Sequence, residues 1–207
     1  MMPTNKHRMP GRPKKSDNGD SRTREQVLRK ASAVFMELGF ERVSLERIAR
    51  ECGVTKATVY YYFDNKANLF TLSVVHTLER VRSHVRNLLE QEKNLKDKLV
   101  DIAAERMKHK HGDFETLLKE ASLRLSSEQI AEIRKAELAI HLALADALQA
   151  AMERGALARE NPLLLSHAFS ALCMLGNSRS FLEGYATLED AASAIVRVFW
   201  NGAAQRN

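Results

Sequence analysis

The sequence predicts an all-α protein of about nine helices, in which a small N-terminal unit of three helices precedes a larger helical bundle. Three observations carry that expectation. Proline stands only at positions 3, 10, 13 and 162, so nothing between Lys14 and Asn161 breaks a succession of helices. Apolar residues recur at three- and four-residue intervals, as in Val27, Leu28, Ala31, Val34, Phe35 and Leu38, and no segment alternates as a strand would. With 207 residues, 44% of them hydrophobic and 28% charged, the chain can bury a real core, yet it contains no apolar run long enough to span a bilayer.

The elements follow from start and stop signals. Residues 1–20 hold three prolines, Gly11, Gly19 and the bases Lys6, Arg8, Arg12, Lys14 and Lys15, which predicts a disordered basic arm. No apolar stretch follows these bases, so the arm does not read as a signal peptide and a cytoplasmic location is expected. Thr23 and Gln26 have capping-box spacing for the first helix, which Gly39 ends. Ser44 precedes a short stripe of Leu45, Ile48, Ala49 and Cys52 closed by Gly53, and Thr55 caps a third helix running to about Tyr62. Asp64 or Asn65 opens a fourth helix reaching about Glu90. A fifth runs from Leu95 to near Gly112, and a sixth is begun by Asp113. Ser126 with Gln129 opens a long seventh helix to Gly155, and Asn161 followed by Pro162 opens an eighth expected to reach Gly184. Thr187, with Glu189 and Asp190 in the first turn, starts a ninth that runs through Trp200.

Charge is the first pointer to function. The first fifty residues contain twelve Lys or Arg against six Asp or Glu, whereas the remainder holds twenty of each, so the whole +6 excess lies in the first quarter of the chain. Such asymmetry suits an N-terminal segment that meets a polyanion. In the stretch Ser44 to Lys66, a helix, a glycine turn and a second helix describe a helix-turn-helix, whose second helix enters the major groove of DNA. Val54 can plug the corner, while Ile48, Ala49, Val59 and Phe63 can pack against the Val34 and Leu38 end of the first helix. Lys56, Ala57, Thr58, Tyr60 and Tyr61 are then left outside. Lys56 and Thr58 can donate to bases or phosphates, Ala57 can touch a thymine methyl, and the tyrosine hydroxyls can reach phosphate oxygens. Three successive tyrosines cannot all face outward, so Tyr62 is assigned to the buried side. Lys66, at the start of the fourth helix, can hold a phosphate together with the exposed backbone N–H groups.

In these residues the chain resembles the tetracycline-repressor (TetR) family of bacterial transcription regulators. The likeness runs from Arg24 through Leu69 and is carried by Phe35, Leu38, Gly39 and Phe40, then Val43, Ser44, Leu45, Ile48 and Ala49, then the run Gly53 to Phe63, with Lys66 and Leu69. The resemblance implies that Ser44, Thr55, Lys56, Ala57, Thr58, Tyr60, Tyr61 and Lys66 contact double-stranded operator DNA. Ala57 stands where many members have glycine, and Tyr61 or Tyr62 where many have histidine, departures that bear on the operator read. The division it implies is an arm at 1–20, a DNA-binding domain at 21–68 and a ligand-binding and dimerisation domain at 69–207. It also implies a homodimer, paired through the last two long helices, with Leu172, Leu175, Ile195, Val198 and Phe199 as apolar candidates. An intrachain core is the alternative for those five residues.

The same resemblance implies a small-molecule effector, largely apolar, held inside the larger bundle and opposing DNA binding. Candidate lining residues are Met107, His141, Phe169, Cys173, Asn177 and Phe181, of which Met107, Phe169, Cys173 and Phe181 also read as plain core. Gly176 and Asn177 are poor helix-interior residues, which points to a local packing or polar requirement. No metal site or cofactor is expected: His109 and His111 are two apart on a helix and point away from each other, and Cys52 and Cys173 are far apart in helical contexts. No catalytic motif occurs, so the expectation is a regulator, most simply a repressor, and not an enzyme or a membrane protein. A DNA-platform assembly protein and an α-helical enzyme are the rival classes.

Overall fold

The computed structural model describes residues 17–108 and 114–203, and among them the chain is helical without a β-strand. The elements are α1 (Asp17–Leu38), α2 (Leu45–Cys52), α3 (Lys56–Phe63), α4 (Lys66–Leu89), α5 (Leu95–Lys108), α6 (Phe114–Ser122), α7 (Ser127–Glu153), α8 (Pro162–Cys173), a 3-10 turn (Met174–Asn177), α9 (Arg179–Leu182) and α10 (Leu188–Ala203). Most of the starts are written in local side chains. Ser44, Thr55 and Asn65 accept the N–H three residues on, at 3.2, 3.1 and 2.9 Å. Ser126 and Gln129 close a reciprocal capping box, and Thr187 and Asp190 do the same at the head of α10. Asn161 accepts from Leu163 and Leu164 with Pro162 in the first turn of α8.

Two elements depart from the sequence expectation. Helix α1 begins at Asp17, so Thr23 lies inside it and its spacing to Gln26 caps nothing. Asp20, expected in the arm, belongs to this first turn and accepts the Tyr62 hydroxyl at 2.8 Å, a tertiary bond to a residue 42 positions away. The arm residues Lys6 to Lys15 lie outside the described residues, as do His109, His111 and Asp113. The second departure is in the eighth helix, which stops at Cys173 instead of reaching Gly184. There Gly176 is buried so closely on α5 that a Cβ would lie 2.4 Å from Met107 Cγ. The chain tightens into the 3-10 turn to make that approach, and Ser178 then caps α9.

Side chains gather into two cores. The first joins α1, α2 and α3 to the beginning of α4, to Leu117, Leu118 and Ala121 of α6 and to Ile133 of α7. At its centre Phe70 meets both Phe35 and Phe40 edge-on, with ring centroids 5.1 Å apart in each pair. The second lies among the distal half of α4, α5, α7, α8 and α10, and is rich in alanine: Ala103, Ala104, Ala151, Ala191, Ala192 and Ala203. Helix α4 packs along α7 and α1, and α5 packs along α10. Residues beyond 68 therefore complete the first core. Helix α6 lies against the first core, held to α7 by Arg134, which grips its Glu115 with bonds of 2.5 and 2.7 Å.

Candidate nucleic-acid interface and interior cavity

The turn between α2 and α3 rests on Gly53, whose φ of 67° is the left-handed conformation that a Cβ disfavours. Val54 is half-buried at the corner, and Val59 and Phe63 anchor α3 inward at 0% and 1% exposure. That anchoring decides which residues of α3 remain outside. Lys56, Ala57, Tyr60 and Tyr61 are exposed, Tyr61 most of all at 78%. Their spacing of i, i+1, i+4 and i+5 puts them on one helical face. Ser44 and Thr55 are exposed at the two helix starts, each already holding a cap bond. Tyr62 is half-buried; burial first, then its bond to Asp20, pushes its phenol up to about 12.

Three of these groups are engaged within the protein. The Lys56 ammonium pairs with the Glu46 carboxylate at the start of α2 and lies 5.4 Å from the Tyr60 ring centroid. The hydrogen bond from Lys56 is the largest influence holding Glu46 down at about 2. Thr58 Oγ1 lies 2.8 Å from Thr55 Oγ1. Lys66 is half-buried at the loop between α1 and α2, where its ammonium donates to the Glu41 carbonyl at 3.2 Å and covers the Phe40 ring at 4.4 Å. Burial there lowers its pKa.

That loop is also clamped from the body. Glu120 of α6 accepts the backbone N–H groups of Phe40 and Glu41 at 3.1 and 3.0 Å. Gly39, at φ 82°, makes room: a Cβ there would stand 2.8 Å from Glu120 Oε2. Neither Glu46 nor Glu120 was legible as a site residue, because each acts through a partner brought near by folding.

Among the five dimer candidates the structure separates two groups. Ile195 and Phe199 are buried in the chain's own core, Phe199 against Phe169 at 5.3 Å, so these two take the intrachain alternative. Val198 is 63% exposed, Leu175 is exposed and Leu172 is half-buried, and Leu164 and Met174 add further exposed apolar surface.

The effector candidates are dispersed. Met107 and Cys173 are buried core, Phe181 is half-buried beside Tyr185, and Asn177 is exposed on the 3-10 turn and does not face the interior. Burial pushes the Cys173 thiol up to about 11, so it stays protonated. Only His141 and Phe169 line a cavity, of about 10 Å³, together with Arg106, Ser166 and Ser170, which the sequence reading missed. No cluster of metal-ligating side chains occurs among the described residues, and no described helix is long and apolar enough to cross a membrane.

Comparison with known proteins bears on the N-terminal region most directly. Residues 27–71 match the family described as bacterial regulatory proteins, tetR family. The HTH-type transcriptional regulator TtgR of Pseudomonas putida is 33% identical over 70 residues, 34% of this chain and 33% of that protein. The HTH-type transcriptional repressor BepR of Brucella suis is 40% identical over 48 residues, 23% of each. The chain thus spans about a third or less of the length of these curated relatives. Solved structures extend the likeness in fold: Escherichia coli NemR in its reduced form has a TM-score of 0.68 at 19% identity, covering 86% of this chain and 96% of that one. Bacillus subtilis FadR, solved with stearoyl-CoA, has a TM-score of 0.67 at 17% identity, covering 86% and 97%. The helix-turn-helix region, residues 27–71, thus matches bacterial regulatory proteins of the tetR family in sequence, and the whole helical chain matches solved structures in fold.

Proposed function

We propose that the protein is a sequence-specific DNA-binding transcriptional regulator, a repressor that reads a palindromic operator as a homodimer and is released by a small effector. The observation that carries this reading is the outward face of α3, anchored by Val59 and Phe63 and presenting Lys56, Ala57, Tyr60 and Tyr61. In this reading residues 21–68 form the reading head and 69–207 the effector and dimerisation body, acting in the cytoplasm and on the nucleoid when bound. Thr58 and Lys56 read bases after giving up their bonds to Thr55 and Glu46. Ser44, Thr55, Tyr60, Tyr61 and Lys66 hold phosphates. A two-fold axis through the exposed apolar surface of Leu164, Leu175 and Val198 pairs two heads, so two half-site contacts reinforce each other.

Release requires the effector to prefer a conformation that fits DNA poorly, and DNA then opposes the effector by the same factor. Two links are available to carry it. Helix α4 contributes to both cores, and Glu120 on α6 grips the loop that precedes α2. The FadR neighbour binds stearoyl-CoA, which supports a body of this fold accepting a ligand. The relatives TtgR and BepR carry regulator names, in keeping with a role without catalysis.

The test is retention of genomic fragments by the purified protein at about 150 mM salt, followed by titration of the recovered duplex across salt concentrations. One palindromic site is expected, with Lys66→Ala weakening all duplexes alike and flattening the salt dependence by about one unit, and Thr58→Ala changing base preference. Binding that ignores salt or shows no preferred site would overturn the reading.

A further inference from the structure

The interior cavity lies where α4, α5, α7 and α8 meet, and its walls differ. Val85, Ile102, Ile140, Leu144 and Phe169 give an aliphatic and aromatic side, while Arg106, His141, Ser166 and Ser170 bring polar groups from three helices to the other. Ser166 and Ser170 stand one turn apart on α8, and Ser166 is fully buried. Its hydroxyl lies 3.3 Å from His141 Nδ1, and the outer face of the His141 ring is covered by His167 at 3.8 Å between centroids.

Arg106 is the unbalanced member. Its guanidinium is charged at every physiological pH, its Nε is buried, and that Nε has no hydrogen-bond partner among the described residues. No described carboxylate pairs with it either, although Glu105 beside it is paired with Lys108. A buried donor left in this condition is costly, and native structures seldom keep one without a use. The surroundings sharpen the imbalance. Burial first, then the electrostatic influence of His167 and Arg106, pull His141 down to about 4, so its imidazole is neutral near pH 7 and can offer an N–H. The cavity wall thus holds one fixed positive charge, several donors and no acid.

Building on the effector-responsive reading above, we propose that the effector is an amphiphilic carboxylate, whose head is held by Arg106, His141 and Ser166 and whose apolar part lies against Val85, Leu144 and Phe169. A cationic ligand would meet Arg106 with nothing to offset the repulsion. A neutral one can accept from the buried Nε but leaves the guanidinium charge without a counter-charge. A carboxylate answers it with a charge-assisted bond and accepts from the serine and imidazole donors as well. The cavity as it stands has room for about one water, which favours the most compact oxyanion over a phosphate and means that entry widens the seam. The 3-10 turn is placed to yield, since its Gly176 presses on Met107, the neighbour of Arg106 on α5.

The experiment uses the full-length protein with its recovered operator and four probes sharing one tail: decanoate, decyl phosphate, decanol and decyltrimethylammonium. Thermal stability reports binding, and fluorescence anisotropy of labelled operator reports release. Decanoate is expected to raise Tm and release DNA at concentrations at least tenfold below decanol, with the cation inactive. Arg106→Met should bring decanoate down to the level of decanol, Arg106→Lys should restore part of the difference, and Ser166→Ala should weaken decanoate severalfold. The comparison of head groups on the unaltered protein holds whether or not a variant folds. Equal potency of decanol and decanoate, tighter binding of decyl phosphate, or no binding of decanoate overturns the proposal. Release by decanol alone would leave the effector-responsive reading standing. Binding of decanoate without any loss of operator affinity would instead overturn that reading and leave the anion site in place.

Discussion

The two cores of this molecule are built from different materials. The N-terminal one is centred on three phenylalanines in mutual contact and is bounded in part by α2, α3 and α4, each of which starts on a side-chain cap. The body core packs alanines and aliphatic residues around a half-buried histidine and an arginine with an unpartnered Nε, and one of its helices breaks into a 3-10 turn. Large rings locked edge-on have few alternative packings, so the first core fixes α1 against α4, and α3 is seated on that core by Val59 and Phe63. Small side chains mesh over less area, which leaves the second core closer to alternative arrangements. Under the proposed function, the module that reads a rigid duplex needs the former property, and the body that rearranges around a ligand needs the latter.

The comparison breaks if the two cores respond alike to losing a ring. Phe70→Ala should cost about 3–5 kcal/mol, towards the upper part of that range because two edge-on ring contacts vanish with it. Phe169→Ala removes one such contact, beside an existing cavity, and should cost about 1 kcal/mol less. Chemical denaturation of both variants measures the difference, and equal costs would remove the distinction drawn here.

A smaller effect sharpens how the body holds the head. Gly39 and Gly53 both have positive φ, yet only Gly39 faces a crowded neighbour, the Glu120 carboxylate; Gly53 has open space. Gly53→Ala should therefore show backbone strain alone, about 1 kcal/mol. Gly39→Ala should cost about 1–2 kcal/mol more, because the carboxylate must leave the Phe40 and Glu41 N–H groups. In a Glu120→Ala background the two glycine substitutions should cost nearly the same. A double-mutant cycle without coupling between Gly39 and Glu120 would dismiss the clamp.

The smallest expected effect concerns protons in the body. His141 is held near 4 in the folded protein against an ordinary value of 6.5, so between those values the unfolded chain binds more protons. Its neutral form therefore contributes stability in full above about pH 6.5, and that contribution is lost as pH falls towards 4. The ring is only half-buried, so solvent screening keeps the effect to about 1 kcal/mol or less. Thermal melts at about pH 7 and about pH 5 should show a larger drop for the unaltered protein than for His141→Gln. Parallel drops would place the acid sensitivity elsewhere.

The elements that were legible beforehand share one property: their signals act over three or four residues. The caps at Ser44, Thr55, Ser126 and Asn161 and the glycine turn at Gly53 operate through neighbours in the chain, and the structure realises each. The inward set of α3 followed for the same reason, since helical periodicity separates Val59 and Phe63 from Tyr60 and Tyr61. Thr23 misled because a capping box is a local option that a longer helix overrides once tertiary contacts, such as Asp20 with Tyr62, hold the preceding turn. Helix α10 is apolar on several faces, so periodicity left open which of Ile195, Val198 and Phe199 would turn inward. Packing against α5 and α8 settled it by burying the first and last.

The residues proposed to couple or sense are separated from their partners by long stretches of chain. Glu120 reaches a loop about 80 residues earlier, and His141 meets a serine 25 positions away. Sequence by itself determined most of the helix starts, the helix-turn-helix and the localised positive charge, because propensity, capping and charge are properties of adjacent residues. Only the tertiary structure decided where α8 breaks, which apolar side chains remain outside, and that Arg106, His141 and Ser166 face one cavity. Those outcomes depend on which helices pack together, and no interval along the chain encodes the distance between two helices that meet only on folding.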